Sequence, residues 1–496
     1  MKIFKLLLLF VCTINHISAQ DKPNIVYIIA DDLGYGDVQI LNPKKGKIKT
    51  PRIDAFAKES MTFTDAHSAS AVCTPSRYAV LTGRYAWRSR LQEGVLSGGA
   101  EVEPLISKNI MTVPKMLKEV GYSTAAIGKW HLGFDYVDNK GNSYELYDGK
   151  KIIGAPVGAT VPNGPITRGF DTYVGFHHSR DMQTVIKNDK VIDKMKPVQM
   201  LQFLGDHATD YITSASAKKE PFFLYLALNS PHSPVVPSKE WKGKSGMGAY
   251  ADFVMQTDDV VGQVLEALKK NGLSENTLVF FTSDNGCSAP VAKAGKLEKE
   301  FGHYPSADFR GYKSDIWEGG HRIPFIVRWP NKIEANTTND KLICQTNLMA
   351  TCAEVAGLNM AESTGVDSYS ILPMLEDQKV KTNYNLVVHH SINGKFSIRN
   401  KKWKLELTPG SGGWSNPRDS KAIAEKLPEI QLYNMKKDKE ETTNLAHKRK
   451  RIVKKLTTAL AEIVDNGRTT TGQKQQNDVP VDMFKKDVSK ITEASH

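Results

Sequence analysis

The run Asn24-Ile25-Val26-Tyr27-Ile28-Ile29-Ala30 is apolar throughout and ends abruptly at Asp31-Asp32. Three later runs share this design, an apolar stretch that stops at polar residues: 123–128 before Lys129-Trp130-His131, 222–228 before Asn229-Ser230-Pro231-His232, and 278–282 before Ser283-Asp284-Asn285-Gly286. Such runs are typical of strands buried on both faces of a sheet. Helical patterns at 53–59, 112–120 and 253–269 lie between them. This alternation predicts an α/β fold with a large mixed, mostly parallel sheet flanked by helices.

The four polar clusters mark the expected position of a ligand site. In open α/β sheets, ligands bind beyond the carboxyl ends of the strands. Each cluster alone could be an ordinary turn, but all four follow strands of the same predicted sheet. The sequence therefore predicts one site at this edge.

The rest of the chain is predicted to form a smaller unit and a tail. A strand at 325–329 and a helix at 348–356 precede Leu372–Leu375, which closes the large domain. Short alternating runs at 384–390, 395–399, 403–407 and 431–435 predict a small antiparallel sheet, with a helix over 444–464 packed on it. The polar residues from Thr469 onward are expected to be loose. The predicted boundaries are a signal peptide at 1–19, a catalytic domain at 20–376, a C-terminal α+β subdomain at 377–468 and a polar tail at 469–496.

The first twenty residues have the pattern of a signal peptide. Lys2 and Lys5 flank the start of an apolar stretch, and Ile17-Ser18-Ala19 suits cleavage. Cys12 raises the alternative of a lipoprotein, although Val11 is bulkier than the residue that usually precedes a lipidated cysteine. No other apolar run reaches the roughly 18 residues needed to span a membrane. We expect an exported protein, periplasmic or secreted, and the lysine-rich chain with its short leader suggests a bacterial source.

The composition favours anionic partners. The chain has 66 Lys and Arg residues against 54 Asp and Glu, a formal net charge of +12. Basic runs at 447–451 and 454–455 fit a solvated helix face better than a nucleic-acid patch, because no nucleic-acid fold signature accompanies them. The cysteines outside the leader are too few for a disulfide framework, and whether Cys344 and Cys352 pair or are simply buried stays open, as does the oligomeric state.

A second informative stretch is Cys73-Thr74-Pro75-Ser76-Arg77. Thr74 is a good helix N-cap, and Pro75 suits the first helical position, where no N–H is needed. Cys73 would then lie at the mouth of a helix, where unpaired N–H groups and the helix dipole suit an anion or a thiol of lowered pKa. Arg77, one turn later, would point back toward that mouth. The alternative is a capped helix with a buried cysteine.

The predicted edge of the sheet also carries hard oxygen ligands. Asp31, Asp32, Asp284 and Asn285 supply carboxylate and amide oxygens, which suit Ca²⁺ or Mg²⁺ and do not suit Zn²⁺. Simpler alternatives are a helix cap for the first pair and a plain turn for the second. Cationic and titratable groups would surround such an ion, namely Arg77, Lys129, His131, His232 and Lys313. This set fits the turnover of a small tetrahedral oxyanion ester.

At this point the motifs carry a family resemblance. Residues 73–77, followed by Leu81-Thr82-Gly83, resemble the first signature of the formylglycine-dependent type I sulfatases, and residues 121–131 (Gly-Tyr-Ser-Thr-Ala-Ala-Ile-Gly-Lys-Trp-His) resemble their second. The resemblance extends from Asn24 to about Leu375, and residues 432–445 resemble the family's C-terminal subdomain. It implies an alkaline-phosphatase-like α/β fold and one bound calcium ion.

The same resemblance implies a role for each site residue. A separate maturation enzyme would oxidise Cys73 to formylglycine, whose hydrate offers one hydroxyl to attack sulfur and a second whose deprotonation later expels sulfate. Calcium would be held by Asp31, Asp32, Asp284, Asn285 and the modified Cys73, and would lower the pKa of the attacking hydroxyl. Arg77 would steady the formylglycine, and Lys129 and Lys313 would bind sulfate oxygens. His232 would protonate the leaving alcohol, and His131 would help to break the hemiacetal.

The implied substrate is a sulfated carbohydrate. Oligosaccharides from algal polymers such as ulvan or carrageenan, or from glycosaminoglycans, fit an exported basic protein of this family. His177, His178 and Arg180 lie where related enzymes place substrate-contacting loops, although surface-loop residues are the simpler interpretation. Two other functions stay open: a phosphoester or phosphonate hydrolase on the same fold, and an inactive polyanion-binding protein.

Overall fold

The computed structural model describes residues 22–97, 103–148, 151–381 and 385–485. The predicted signal peptide, with Cys12, lies outside these residues. Within them, no helix is both long and apolar enough to cross a membrane.

The strands, in chain order, are β1 Asn24–Asp31, β2 Met61–Phe63, β3 Ala66–His67, β4 Ser123–Lys129, β5 Tyr147–Asp148, β6 Lys151–Ile152, β7 Thr172–Phe176, β8 Thr184–Lys187, β9 Lys190–Lys194, β10 Phe222–Pro231, β11 Thr277–Ser283, β12 Phe325–Arg328, β13 Thr337–Asn339, β14 Ile343–Cys344, β15 Val387–His390, β16 Phe396–Arg399, β17 Trp403–Glu406 and β18 Gln431–Asn434. The α-helices are α1 Pro51–Lys58, α2 Cys73–Thr82, α3 Val113–Lys118, α4 Pro197–Ser216, α5 Ala249–Lys270, α6 Ala289–Ala292, α7 Ala294–Lys296, α8 Glu318–His321, α9 Leu348–Val355, α10 Leu372–Glu376, α11 Asp419–Ala424 and α12 Lys450–Asp465.

A ten-stranded sheet forms the centre of the molecule, in the order β13-β2-β12-β11-β1-β10-β4-β7-β8-β9. The five middle strands, from β11 to β7, are parallel, and antiparallel pairs appear toward both edges. Alternate residues of β1 enter two separate cores: Tyr27 faces the helices α2, α3 and α9, and Ile28 faces α1, α4 and α5. Because both faces are covered, β1, β10 and β11 are mostly apolar, whereas β4 and β7 also contain Ser, Thr and Gly. The predicted fold class is confirmed.

The C-terminal sheet is antiparallel, in the order β15-β16-β17-β18, and α12 packs on β16 and β17. This helix begins at Lys450 rather than at 444 as predicted. The reason is Asn444, whose side chain accepts from the N–H groups of Leu432 and Ala446 and donates to the carbonyl of Ile430, which holds the segment in a turn against β18.

Two further predictions are wrong. Helix α2 begins at Cys73 with Val72 as N-cap, and the Thr74 hydroxyl accepts from the distant N–H of Leu96 instead of capping the helix. The polar tail is not loose over 469–485: the Thr469 and Thr470 N–H groups donate to the Val366 carbonyl, and Asp478 N–H donates to the Arg88 carbonyl. Residues 486–496 lie outside the described residues.

Candidate active site

The carboxyl ends of the parallel strands bring the predicted site residues together. Asp31 ends β1, Lys129 ends β4, His232 follows β10 and Asp284 follows β11. Adjacent parallel strands end at the same edge, so residues more than 250 positions apart in the chain become neighbours: the N–H of Asp32 donates to Asp284 Oδ1 at 3.1 Å. Lys313 reaches the site from the loop before α8. The backbone N–H of Lys313 donates to the Cys287 carbonyl, which holds this loop next to the Asp284 loop.

Three buried carboxylates at this edge each face a cation. Lys129 Nζ lies 2.6 Å from Asp31 Oδ2, and Lys313 Nζ lies 2.7 Å from Asp32 Oδ1. The Arg77 guanidinium donates through Nε and Nη2 to Asp284 Oδ2, at 3.0 and 2.8 Å, and through Nη1 to the Lys129 carbonyl at 3.1 Å. All these side chains are at most 7% exposed. The cluster is therefore a desolvated network of strong charge-assisted bonds.

The cluster offers ligand atoms to a metal ion, since those of Asp31, Asp32 and His232 lie within 4.8 Å of one another. Burial and the neighbouring Asp31 carboxylate raise the pKa of Asp284 to about 7, because three carboxylates in one desolvated pocket repel each other. Asp31 shows the opposite direction: burial opposes ionisation, but Lys129, His232 and Arg77 hold its pKa well below the usual range. Two buried oxygens, Asp31 Oδ1 and Asn285 Oδ1, have no hydrogen-bond partner among the described residues. Unpaired oxygens beside crowded carboxylates fit a hard divalent cation.

Gly286 packs the loop that carries Asp284 and Asn285 closely against the backbone of α8. A Cβ atom at position 286 would lie 1.9 Å from the Gly319 carbonyl oxygen, so only glycine fits there. The backbone N–H of Gly286 donates to the Gly320 carbonyl at 2.9 Å. The loop is thus clamped by the backbone of α8. That clamp fixes the Asn285 side chain, whose Nδ2 donates to Asp32 Oδ1 at 2.8 Å.

Cys73 is the first residue of α2, and its side chain is buried. Burial raises the pKa of its thiol, although Lys129 and Lys313 act in the opposite direction. The alternative of a thiol of lowered pKa is therefore wrong, because burial and the nearby Asp284 and Asp31 carboxylates outweigh the two lysines. The unmodified side chain is a poor nucleophile here.

Two histidines, His131 and His232, flank this centre. His131 Nε2 lies 2.8 Å from the Leu96 carbonyl and must donate to it, which leaves the buried Nδ1 without a hydrogen-bond partner among the described residues. Burial, with His178 and Lys129, holds the pKa of His131 well below its usual value, so the ring is neutral. His232 Nδ1 lies 2.6 Å from the Ser233 carbonyl, and its Nε2 lies 3.7 Å from Asp32 Oδ2.

The residues after β7 were only partly anticipated. β7 is a fifth parallel strand at the same edge, so His177 and His178 are buried, at 2% and 8% exposure, and the interpretation as surface-loop residues is wrong for both. The His178 ring packs edge-on against His131 with centroids 4.4 Å apart. Arg180 is exposed, as a surface residue would be. The run Thr172–Phe176 carries a Thr, a Tyr and a Gly, so its apolar pattern is too weak to mark a buried strand.

Comparison with known proteins places this site in a family. The family model described as Sulfatase matches residues 23–358, and the model described as N-sulphoglucosamine sulphohydrolase, C-terminal, matches residues 311–408. The chain belongs to the sulfatase family. It is an enzyme that hydrolyses sulfate esters, and the resemblance and enzyme class predicted from its motifs are confirmed.

Three relatives resemble this sulfatase over most of their length. An N-acetylgalactosamine-6-O-sulfatase of Bacteroides thetaiotaomicron is 32% identical over 89% of this chain and 93% of its own. A solved structure from work on glycosaminoglycan metabolism by the same bacterium aligns with a TM-score of 0.76 and 28% identity, over 89% of this chain and 99% of that one. The structure of Ps i-CgsB with k-i-k-neocarrahexaose aligns with a TM-score of 0.71 and 26% identity, over 92% and 95%.

A second buried polar cluster of the sulfatase joins the large and C-terminal sheets. Lys404 of β17 donates to the carboxylate of Glu441 at 2.7 Å and to the Ile316 carbonyl at 2.8 Å, and it lies 3.4 Å from Glu318 of α8. Arg399 of β16 reaches Asp65 at 2.5 Å. No local sequence pattern indicates this cluster, because its partners come from separate segments: Lys404 lies 88 positions from Ile316 and 37 positions from Glu441.

Three histidines of this cluster, His67, His321 and His389, have ring nitrogens within 4.8 Å of one another. His67 Nε2 lies 2.5 Å from Arg399 Nη1 and 2.9 Å from Asp65 Oδ1, so this nitrogen faces both a donor and an acceptor. His67 Nδ1 lies 3.0 Å from His321 Nδ1, and His321 Nε2 donates to the Ile316 carbonyl at 3.0 Å. Both His321 nitrogens have partners within the protein, and the carboxylates of Asp65 and Glu318 lie in the same cluster, so the rings belong to a buried polar network that joins the two sheets.

All four cysteines of the described residues, Cys73, Cys287, Cys344 and Cys352, are free and buried. The question of a Cys344 and Cys352 pair is thereby answered in the negative. Asp258, on α5, accepts from the N–H groups of Arg52 and Ile53 and caps α1.

Proposed function

We propose that this sulfatase removes sulfate from carbohydrate esters, with formylglycine at position 73 as nucleophile and Ca²⁺ as its metal ion. The observation that carries the proposal is the placement of buried Cys73 at the start of α2, within electrostatic reach of Lys129, Lys313, Asp284 and Asp31. A thiol there is protonated and poorly reactive, whereas the hydrated aldehyde would offer two hydroxyl groups to the same pocket.

The proposed ligands of calcium are Asp31, Asp32, Asp284, Asn285 and the modified residue 73. The unpartnered oxygens of Asp31 and Asn285 and the raised pKa of Asp284 support this assignment. When bound, the ion would polarise a sulfate oxygen and favour ionisation of the attacking hydroxyl.

The cations of the pocket have separate proposed roles. Lys129 and Lys313 would bind the non-bridging oxygens of the sulfate, where negative charge must be stabilised. Arg77 would hold α2 and the Asp284 loop in register through its fork of donors.

The two histidines have different proposed roles. His232 is 15% exposed at its side chain and lies beside Asp32, a position suited to protonating the leaving alcohol. His131, neutral with an available Nδ1, would accept a proton when sulfate is expelled.

The proposed substrates are oligosaccharides from sulfated polysaccharides of the glycosaminoglycan or algal type. The names of the relatives support this class, since one is an N-acetylgalactosamine-6-O-sulfatase and another was solved with a neocarrahexaose. His177, His178 and Arg180 would contact the sugar, because His178 packs on His131 and Arg180 is exposed beside it. We further propose export through the signal peptide and activation by a formylglycine-generating enzyme.

The test is sulfate release from a panel of substrates by protein produced with a maturation enzyme. The panel contains 6-sulfated N-acetylgalactosamine oligosaccharides, carrageenan oligosaccharides, an aryl sulfate and an aryl phosphate. We expect turnover of at least one sulfated oligosaccharide and preference for the aryl sulfate over the phosphate. A preference for the phosphate would favour a phosphoester hydrolase, and absence of turnover on every ester would favour a polyanion-binding protein.

A further inference from the structure

The N-terminal half of α12 carries a one-sided row of basic residues, here called the basic stripe. The stripe consists of five exposed residues: Lys450, Arg451, Lys454 and Lys455 in the first two turns of α12, and His447 just before the helix. Lys454 and Lys455 follow Lys450 and Arg451 by four residues each, so the two pairs lie on one helix face. The opposite face of α12 buries Leu456 and Leu460 against the C-terminal sheet.

The charges of α12 oppose the helix dipole. Four cations occupy the first two turns, at the positive end of the dipole, and Glu462 and Asp465 lie in the last turn, at the negative end. Like charges four residues apart also repel each other. Among the described residues, no carboxylate forms an ion pair with the lysines or the arginine of the stripe. A charge pattern that weakens its own helix without internal compensation points to an external anion.

A groove runs beside the stripe and supplies a second, independent feature. Its volume is about 360 Å³, and it is lined by Ile430, Ala446, His447, Lys450, Val453, Lys454, Thr457 and Thr458. The apolar side chains in it are only half buried, the lysines stand at its rim, and two hydroxyls are available for hydrogen bonds. An apolar floor with cations and hydroxyls around it fits a sugar ring that carries anionic groups.

We propose that the basic stripe and its groove bind a stretch of sulfated polysaccharide outside the active site. The inference rests on the proposed function, since it takes the same class of polymer as ligand. A nucleic acid fits less well because, within the described part of the chain, the residues that line the groove include no aromatic side chain for base stacking. A membrane surface fits less well because the large apolar residues of α12 are already buried in the fold.

The location of the stripe separates this site from the chemistry. Lys404 and Glu406 of β17 face the large sheet through Glu318 and Glu441, whereas Leu405 between them faces the side of α12. The stripe therefore lies on the far side of the C-terminal sheet. Such a site would hold a long chain near the enzyme and would not affect a small ester.

The test compares a stripe variant, K450Q/R451Q/K454Q/K455Q, with a control variant, K218Q/K219Q/K269Q/K270Q. Both remove four positive charges, but the control changes two residues just after α4 and the last two residues of α5, and glutamine preserves helix propensity in both variants. Binding to polymeric chondroitin 6-sulfate and to carrageenan is measured against salt concentration, with non-sulfated hyaluronan, DNA and anionic lipid vesicles as further probes. Turnover of an aryl sulfate is measured in parallel.

We expect the stripe variant to bind the sulfated polymers at least about tenfold more weakly at low salt and with a shallower salt dependence, as loss of charge contacts predicts. The control variant should bind like the parent, and both should turn over the aryl sulfate within about twofold of the parent. Equal loss in both variants, unchanged binding of the stripe variant, or a loss confined to DNA or vesicles would overturn the proposal. Because binding is read without turnover, stripe-dependent binding by a protein that desulfates no carbohydrate would contradict the proposed function alone.

Discussion

At the scale of single residues, Arg77 connects three elements of the site through its hydrogen bonds. Its guanidinium binds the Asp284 carboxylate with two nitrogens and the Lys129 carbonyl with the third, so one side chain connects α2, β11 and β4. The sequence placed Arg77 one turn after Cys73, which was enough to predict that it faces the site. Its partners could not be predicted, because they depend on which strands are neighbours in the sheet.

The variant Arg77→Lys should lose both activity and stability. A single ammonium group cannot replace a fork of donors to Asp284 and the Lys129 carbonyl, and a buried carboxylate would lose part of its compensation. We expect a loss of about 2–4 kcal/mol in the free energy of unfolding and at least about 100-fold in kcat. Urea unfolding and aryl sulfate turnover measure the two effects. Exposed Arg180→Lys serves as the control for stability, and equal stability of both variants would contradict the role of the fork.

The variant Cys73→Ala should abolish turnover and leave the fold intact. The substitution removes one buried sulfur atom, so the unfolding midpoint should move by only a few degrees. The matched control is Cys352→Ala, which removes a buried sulfur from α9 and should keep turnover per folded molecule. If Cys73→Ala melted the protein, position 73 would be structural instead.

At the scale of elements, the strands were easier to predict than the helices. β1, β4, β10 and β11 are buried on both faces, so small or apolar residues make up most of each sequence, and their bounds were predicted to within about three residues. Helix ends depend on partners elsewhere in the chain. The Thr74 hydroxyl accepts a hydrogen bond from the N–H of Leu96, and the Asn444 side chain accepts one from the N–H of Leu432. Such bonds cannot be read from local sequence.

The capping of α1 by Asp258 gives an element-scale prediction. Asp258→Ala should lower the free energy of unfolding by about 1–2 kcal/mol, because the N–H groups of Arg52 and Ile53 lose their acceptor at a helix N-terminus. Turnover per folded molecule should be unchanged. Thermal or urea unfolding tests this, with Asp259→Ala as the neighbouring control, since Asp259 does not cap α1. A similar loss in both variants would argue against capping.

At the scale of the whole molecule, the two sheets are joined by the buried cluster around His67, Glu318 and Lys404. The sequence predicted that both sheets exist but not how they meet, because the contacts are made by charged residues in strands that read as ordinary edge positions. Separate backbone bonds connect the C-terminal part of the chain to the site: the Ser314 carbonyl accepts from the N–H of Ile392, and the Ser314 N–H donates to the carbonyl of Ala71, two residues before Cys73.

The buried cluster around His67 should make the free energy of unfolding fall at acidic pH. Burial lowers the pKa of His67 to about 4, so the folded state keeps it neutral while the unfolded chain takes up a proton below about pH 6.5. The unfolded state then binds more protons between about pH 6.5 and 4, and the free energy of unfolding should fall by about 3 kcal/mol over that range from His67 alone. Above this range the contribution is fully present.

Urea unfolding across this pH range measures the effect. His67→Gln keeps a neutral acceptor for Arg399 and should reduce the steepness of the fall, whereas exposed His447→Gln should leave it unchanged. An equally steep fall in the His67 variant would assign the acid sensitivity to other groups.

The central claim is that residue 73 works as formylglycine, and the mass of the peptide that contains it tests this most directly. The peptide is isolated from protein that was produced with a maturation enzyme and that hydrolyses an aryl sulfate. We predict the mass of the aldehyde or its hydrate at position 73. An intact cysteine thiol throughout a preparation with full turnover would contradict the account.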